Sequence, residues 1–230
     1  MMSKTTLFFV SLFTLLSTMS TPSETVSQDN TKTYLALGDS YTIGESVAES
    51  ERWPVQLAAT LTEKGISMAN PKIIATTGWR TDELKAAIEA DKELAESYDM
   101  VSLLIGVNNQ YQGRSVESFA PEFEDLLQTA IRLAGNNPRH VFVVSIPDYG
   151  KTPFGAKNEA KIEKELNEYN KVSKSICRQY KVKWFNITTA SRRAKNEPDL
   201  IASDQLHPSG KMYTEWVEIV DNFAYKLLKK

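Results

Sequence analysis

Five short apolar runs recur along the chain, and each has the length of a β-strand. They are rich in Val, Ile, Leu and aromatic residues, and they are continuous rather than alternating with polar residues. Strands buried on both faces have this pattern, as in a parallel sheet between two layers of helices. The predicted strands are Tyr34–Leu37, Lys72–Ala75, Met100–Ile105, Val141–Ile146 and Val182–Ile187.

Helical patterns separate these runs. In one of them, apolar residues such as Ile162, Leu166 and Tyr169 recur at steps of three and four, and the opposite face carries Lys and Glu. We interpret that charged face as solvated surface rather than as a binding site. Alternating strands and helices predict right-handed crossovers and a three-layer α/β/α sandwich around a parallel sheet. The predicted helices are Pro54–Lys64, Asp82–Ala90, Val116–Ala134, Asn158–Tyr180 and Lys211–Leu228.

The start of the chain differs from the rest. Lys4 precedes an apolar run, Leu7–Leu16, which a Ser/Thr-rich stretch follows. This order is typical of a secretory signal peptide, which we assign to residues 1–22. A membrane anchor is the alternative, but spanning a bilayer takes about 20 apolar residues and this run is shorter. We therefore expect export to the periplasm or outside of a bacterial cell, a polar tether over residues 23–31, and one domain over 32–230.

Composition limits the classes of function. The 230 residues carry 27 basic and 29 acidic side chains, so the formal net charge is −2, and the excess of Lys and Arg that holds proteins on nucleic acid is missing. We expect no nucleic-acid partner and no stable membrane span once the signal is removed. The single cysteine, Cys177, rules out an internal disulfide. Because no histidine lies near it in sequence, we expect a buried, inert thiol rather than a catalytic nucleophile.

Polar and glycine-rich stretches follow four of the predicted strands. In open parallel sheets, ligands bind outside the carboxyl ends of the strands, so these stretches are the place to look for chemistry. Each stretch taken alone is also an ordinary turn sequence. They read Gly38-Asp39-Ser40, Thr76-Thr77-Gly78, Gly106-Val107-Asn108-Asn109 and Pro147-Asp148-Tyr149-Gly150.

A serine becomes a nucleophile only beside a base that takes its proton, and histidine is the commonest such base. The chain has two histidines. His140 begins a predicted strand, so we place it at the opposite edge of the sheet and expect a structural role. His207 follows Asp204 by three residues, a spacing at which the carboxylate accepts the Nδ1 hydrogen bond and leaves Nε2 to face Ser40. A helix-entry loop with capping residues is the alternative interpretation of this stretch.

The chain resembles the SGNH hydrolases, also called GDSL-type esterases and lipases, over nearly the whole mature sequence, and four short blocks carry the resemblance. The blocks are GDSYT with Ser40, TTGWRT with Gly78, GVNN with Asn108, and DQLH with Asp204 and His207. The resemblance implies a flavodoxin-like fold and a Ser-His-Asp triad. It also implies an oxyanion hole built from the backbone N–H groups of Ser40 and Gly78 and the side chain of Asn108. It implies no metal or organic cofactor.

The blocks depart from the family pattern at two positions. Tyr41 stands where the family name has leucine, and Asn109 stands where the family often has aspartate, which affects a supporting hydrogen bond. The G-x-S-x-G pattern of α/β-hydrolases is absent, because Thr42 holds the place of the second glycine. We expect Gly38 to allow a tight turn that points the Ser40 N–H and hydroxyl the same way.

The substrate is less well defined than the chemistry. Side chains that follow the strand ends are pocket candidates, although ordinary loop packing explains each of them equally well. They are Asp39, Trp79, Arg80, Asn109, Gln110, Tyr111, Asp148, Tyr149 and Phe154. Since no long apolar lid segment is evident, small to medium acyl groups are favoured over long lipid chains.

Three functions stay open at this point. The first is a secreted serine esterase of the lysophospholipase or thioesterase kind. The second is a carbohydrate esterase that removes acetyl groups from a polysaccharide. The third is a non-catalytic binding protein, since fold alone does not establish function. The expected partner is a small-molecule or glycan ester, and the oligomeric state is open.

Overall fold

Five parallel strands form one sheet in the computed structural model, which describes residues 1–2 and 30–229. They lie in the order β2-β1-β3-β4-β5, with Leu35 of β1 paired to Lys72 of β2 and to Val101 of β3. This is the flavodoxin-like order, in which the sheet grows in opposite directions from β1 and leaves a crevice between β1 and β3. The strands are β1 (Tyr34–Gly38), β2 (Lys72–Ala75), β3 (Met100–Leu104), β4 (Val141–Val144) and β5 (Lys183–Phe185).

Helices cover both faces of the sheet. On one face α2 packs against α8, and on the other α5 packs against α3 and α6. The five long helices begin and end within about two residues of the predicted bounds, and the predicted three-layer fold is confirmed. The helices are α1 (Ser40–Ile43), α2 (Trp53–Glu63), α3 (Thr81–Ala90), α4 (Val107–Tyr111), α5 (Val116–Leu133), α6 (Glu159–Gln179), α7 (Thr188–Ser191) and α8 (Gly210–Leu228).

The core lies along the central strands. Every residue of β1, β3 and β4 is buried, which is why these stretches are almost entirely apolar in sequence. The polar exception, Ser102 of β3, is hydrogen-bonded to the hydroxyl of Tyr34 at 2.7 Å. Fully burying one such Leu, Ile or Phe side chain contributes roughly 1.5 to 3 kcal/mol. The sheet therefore holds the loops at its carboxyl edge on a rigid frame.

The sequence patterns did not predict the short helices α1, α4 and α7, which have four, five and four residues. A one-turn helix is too short to display a helical period. Two of them matter for the site, because α1 begins at Ser40 and α4 contains Asn108.

Cys177 and His140, which the sequence predicts to lie outside the site, are both away from the carboxyl edge of the sheet. Cys177 is fully buried on α6, and burial raises the pKa of its thiol to about 12. His140 ends a short 3-10 turn immediately before β4, at the amino edge of the sheet.

The predicted signal peptide and tether fall almost entirely outside the described residues. Only residues 1, 2, 30 and 31 of those two segments are described. Among the described residues, every helix is too short or too polar to cross a bilayer.

Candidate active site

A small cavity of about 230 Å³ opens at the carboxyl ends of β1 and β3. Ser40, Gly78, Asn108 and His207, which come from all four sequence blocks, line it together. The cavity sits at the switch point of the sheet order, where doubly wound folds bind their ligands. Ser40 and His207, which are 167 positions apart in the chain, thus line the same cavity.

Ser40 is the first residue of α1 and is only 4% exposed. The preceding Gly38 is required by space rather than by an unusual turn. A Cβ on Gly38 would lie 2.2 Å from Thr42 Oγ1 and 2.5 Å from the carbonyl oxygen of Leu104. The backbone φ of Gly38 is not positive, so its conformation alone does not require glycine. The expectation that Gly38 provides turn freedom is therefore corrected: glycine lets α1 start directly against β3.

Asp39 caps α1 and does not line the cavity. Its Oδ1 accepts the N–H of Tyr41 at 3.1 Å, and the residue is fully buried. Its Oδ2 is buried without a hydrogen-bond partner among the described residues. Burial raises the pKa of this carboxyl to about 7, despite the opposing effect of the Tyr41 N–H.

His207 is held by Asp204 through a tight loop. Its Nδ1 lies 2.5 Å from Oδ2 of Asp204, while Oδ1 accepts the backbone N–H groups of Leu206 and His207, each at 2.9 Å. The carboxylate thus folds back over three residues. A proton held on Nδ1 by the carboxylate leaves Nε2 as the basic nitrogen of the ring.

Ser46, which no sequence motif singled out, is a second partner of the Asp204 carboxylate. Its hydroxyl donates to Oδ2 of Asp204 at 2.6 Å. Burial alone would raise the pKa of Asp204, but the hydrogen bonds from Ser46, from His207 and from the loop N–H groups outweigh it and hold that pKa well below its usual range. Asp204 is therefore a stable anion beside the imidazole.

Tyr41 packs on the imidazole from another side. Its ring lies edge-on to that of His207, with centroids 5.6 Å apart, and it also contacts Trp216 at 6.4 Å. The family leucine is thus replaced by a larger buried ring that restricts the movement of His207.

Two N–H groups at the cavity wall have no acceptor among the described residues, namely those of Ser40 and Gly78. Gly78 has a φ of +88°, a left-handed conformation that glycine adopts without strain, and a Cβ there would meet open space. The side-chain amide of Asn108 donates one hydrogen to the carbonyl of Trp79 at 2.9 Å. Its second hydrogen is not used by that bond.

Asn109 supports this wall from behind and does not line the cavity. Its Oδ1 accepts the Thr81 N–H at 3.1 Å, and its Nδ2 donates to Thr81 Oγ1 at 2.6 Å. Glu122 accepts a hydrogen bond from the Thr81 hydroxyl and lies 3.4 Å from Nδ2 of Asn109. Asn109 therefore makes the supporting hydrogen bonds to Thr81 that the change from aspartate was expected to affect. The nearby Glu122 carboxylate favours an amide at this position over the aspartate common in the family.

The loop after α1 contacts both sides of the site. Ser46 holds Asp204, and the adjacent Glu45 accepts a hydrogen bond from the hydroxyl of Thr77, which lines the cavity next to Gly78. Ser46 has a φ of +65°, which is uncommon outside glycine and asparagine. One short loop thus connects the segment of Gly78 with the segment of His207.

Three of the pocket candidates line the cavity as an aromatic cluster. Tyr111, Tyr149 and Phe154 have ring centroids 6.1 to 6.4 Å apart. The Tyr149 hydroxyl donates to Oε1 of Gln110 at 2.9 Å. Thr77, Val107 and Leu206 also line the cavity, although their sequence context did not distinguish them from other loop residues.

Three other candidates do not line it. Asp148 is buried, with its Oδ1 accepting the Gly150 N–H and its Oδ2 paired to Arg192 at 2.9 Å, so it shapes the loop that carries Tyr149. Arg80 pairs with Asp82 at 3.0 Å. Trp79 packs its half-buried ring against the core. In each case loop packing is the observed role.

Solved structures share this fold, and two of the three that follow are named as esterases. TesA matches with a TM-score of 0.66 at 18% identity, over 85% of this chain and 99% of that one. The psychrotrophic esterase EstA from Pseudoalteromonas sp. matches with 0.64 at 16%, over 86% and 100%. A mutant of Axe2, an acetyl-xylooligosaccharide esterase from Geobacillus, matches with 0.61 at 18%, over 86% and 94%. At these identities the likeness shows a shared fold.

A search of curated protein sequences found no match. The model of one protein family does match, over residues 36–214, which is most of the domain and includes all four blocks. The chain therefore belongs to the GDSL-like lipase/acylhydrolase family and is a carboxylic ester hydrolase.

Proposed function

We propose that the protein hydrolyses carboxylic esters of small to medium acyl chains through a covalent acyl-serine intermediate. One observation carries the proposal: Ser40 and His207 line the same small cavity, and His207 Nδ1 is bound to Asp204 at 2.5 Å. Nucleophile, base and orienting carboxylate are the three parts that serine acyl transfer requires.

In the first step, the Ser40 hydroxyl oxygen bonds to the ester carbonyl carbon while its proton passes to Nε2 of His207. The carbonyl electrons move to the oxygen, which the N–H groups of Ser40 and Gly78 and the free amide hydrogen of Asn108 stabilise. The tetrahedral intermediate then breaks its bond to the alcohol, which leaves with the proton from His207. Asp204 stays ionised throughout and stabilises the imidazolium.

In the second step, water takes the place of Ser40 as the attacking group. His207 accepts a proton from the water as it adds to the acyl carbon, and returns it to the serine oxygen as the acid departs. Ester and water are thus converted to acid and alcohol, and Ser40 is regenerated.

The cavity supports a small or medium acyl group. Drug-sized ligands occupy pockets of about 300 to 1,000 Å³, and this one holds about 230 Å³. Its aromatic and aliphatic lining suits an alkyl chain of a few carbons. The proposal includes export, on the strength of the basic and then apolar order of residues at the start of the chain.

The test is hydrolysis of 4-nitrophenyl esters from two to about twelve acyl carbons by the mature protein and by Ser40→Ala. We expect turnover that depends on Ser40 and is greatest for short chains. Turnover that survives in Ser40→Ala would rule out this nucleophile. If no ester is cleaved, labelling by a fluorophosphonate decides the outcome: a label on Ser40 supports a serine hydrolase with a more demanding substrate, and no label indicates a binding protein.

A further inference from the structure

A second, larger depression of about 520 Å³ adjoins the catalytic cavity. The two share Tyr111, Tyr149 and Phe154, so a molecule long enough to occupy both would lie across these rings. We call the larger depression the polar groove. It lies between the start of α5 and the first half of α6, and its polar lining includes Gln110, Arg114, Glu117, Lys161, Glu165 and Glu168.

Two aromatic rings stand uncovered where cavity and groove meet. Tyr111 is 59% exposed and Phe154 is 51% exposed, and their ring centroids are 6.1 Å apart. Within residues 30–229, the only other exposed large apolar side chain is Ile219. Two flat rings left in water beside a catalytic cavity provide a surface on which the apolar face of a ligand ring is buried at a gain.

The polar groove beyond the rings carries charges of both signs. Arg114 and Lys161 contribute donors, and three glutamates contribute acceptors, with Lys161 and Glu165 3.8 Å apart. A long alkyl chain there would remove charged groups from water without replacing their hydrogen bonds, which is costly. A phosphate-bearing group would face three carboxylates. A neutral group with many hydroxyls satisfies both donors and acceptors.

The wall of the groove is held in place before any ligand arrives. Gln110 connects the two sides, since its Nε2 donates to Glu165 at 2.7 Å and its Oε1 accepts from Tyr149 at 2.9 Å. Across the groove, the Tyr169 hydroxyl donates to the carbonyl of Arg114 at 2.6 Å. Such a prearranged wall lowers the ordering cost of binding.

We propose that the polar groove binds a neutral sugar unit of the substrate, with a sugar face packed on Tyr111 and Phe154 and the ester-linked short acyl group in the catalytic cavity. This inference rests on the proposed ester hydrolysis and names its substrate class. The substrate is then an acylated neutral oligosaccharide rather than a fatty acyl ester.

The test compares two acetates, acetylated xylotriose and ethyl acetate, which share the acyl group and differ in the alcohol that would fill the groove. Because the two alcohols also differ in acidity, the change of the rate ratio in the variants carries the test. We expect kcat/KM to be at least about tenfold higher for the sugar ester, and that ratio to fall by at least about tenfold in Tyr111→Ala and in Phe154→Ala. Tyr111→Phe keeps the ring and should keep the ratio. Lys161→Ala removes a donor from the groove and should lower the ratio. Its matched control, Lys164→Ala, changes an exposed lysine on α6 outside the groove and should keep the ratio.

The outcomes separate the two proposals. Hydrolysis of ethyl acetate without preference for the sugar ester would overturn the groove inference and leave the esterase intact, whereas no Ser40-dependent hydrolysis of any ester would contradict both. A preference for 4-nitrophenyl octanoate that the same aromatic variants abolish would make the groove an acyl site and overturn the sugar inference.

If an aromatic variant does not fold, calorimetric titration of Ser40→Ala with xylotriose replaces it. Binding of xylotriose to Ser40→Ala supports the inference. No detectable binding at xylotriose concentrations up to about 10 mM, where Kd values on the order of millimolar are still measurable, overturns it.

Discussion

Ser46 donates its hydroxyl hydrogen to the same oxygen of Asp204 that holds His207, at 2.6 Å on one side and 2.5 Å on the other. The two donors come from segments far apart in sequence, the loop after α1 and the loop before α8. A carboxylate oxygen bound by two donors has little freedom to rotate, so we expect the position of the imidazole to depend on Ser46, which does not line the cavity. We therefore propose that Ser46 is a positioning residue.

Substitution of Ser46 by glycine separates its hydrogen bond from its backbone conformation. Glycine adopts a φ of +65° without strain, so we expect Ser46→Gly to keep the melting temperature within a few degrees. We expect kcat to fall about three- to tenfold with little change in KM, since an exposed charge-assisted bond contributes on the order of 1 kcal/mol. Ser46→Asn tolerates the same φ and restores a donor, so it should recover activity. An unchanged kcat in Ser46→Gly would show that the bond does not position His207.

The proposed nucleophile and base should act as one unit. We expect Ser40→Ala and His207→Ala each to lower kcat by several orders of magnitude, and the double variant to be little worse than either alone. Ester hydrolysis and thermal melting of the three variants are the measurements. More than about a tenth of wild-type kcat in a folded single variant would show that its role is misassigned.

The amide of Asn108 should affect the chemical step rather than binding. Removing one oxyanion donor typically costs about 100- to 1,000-fold in kcat, so we expect Asn108→Ala to lose that much with a modest change in KM. Steady-state kinetics on one short-chain ester measure the split. A purely raised KM would place Asn108 in substrate binding instead.

The neighbouring Asn109 should affect stability. In Asn109→Asp, a carboxylate replaces the donor that faces Thr81 Oγ1 and lies close to Glu122. We expect urea unfolding at pH 7 to show a loss on the order of 1 to 3 kcal/mol, and a smaller loss near pH 4, where the new carboxyl becomes protonated. Equal stability at both pH values would mean that the amide does not separate these acidic groups.

The buried carboxyl of Asp39 should make stability depend on pH. Its pKa is raised from an ordinary 3.8 to about 7 in the folded chain. The folded state therefore binds the extra proton between these values, and the free energy of unfolding falls as pH rises from about 4 to 7, by up to about 4 kcal/mol from this group. Asp39→Asn keeps the cap and removes the charge. In urea titrations we expect the free energy of unfolding of Asp39→Asn, relative to that of wild type, to increase as the pH rises over that range. A difference between the two proteins that does not change with pH would contradict the raised pKa of Asp39.

The sequence by itself determined the layers of the fold and the class of enzyme, a carboxylic ester hydrolase. Largely apolar strands such as Met100–Leu104 are visible because burial on both faces leaves room for a polar residue only where it finds a partner, as Ser102 does with the Tyr34 hydroxyl. Ser40, Gly78, Asn108 and His207 were identifiable because ligand sites in open parallel sheets form at strand ends, and because the four blocks occur together. The Asp204 loop was predictable from a spacing of three residues.

Only the tertiary structure decided which polar residues face the cavity and which brace it. Asp39, Asn109 and Asp148 follow strands just as Ser40 and Asn108 do, yet they turn inward to cap or bridge neighbouring segments. Backbone direction after a strand depends on packing against distant elements, and a local sequence does not record it. The contact of Ser46 with Asp204 joins residues 158 positions apart, and the polar groove exists only because α5 and α6 converge beside Tyr111.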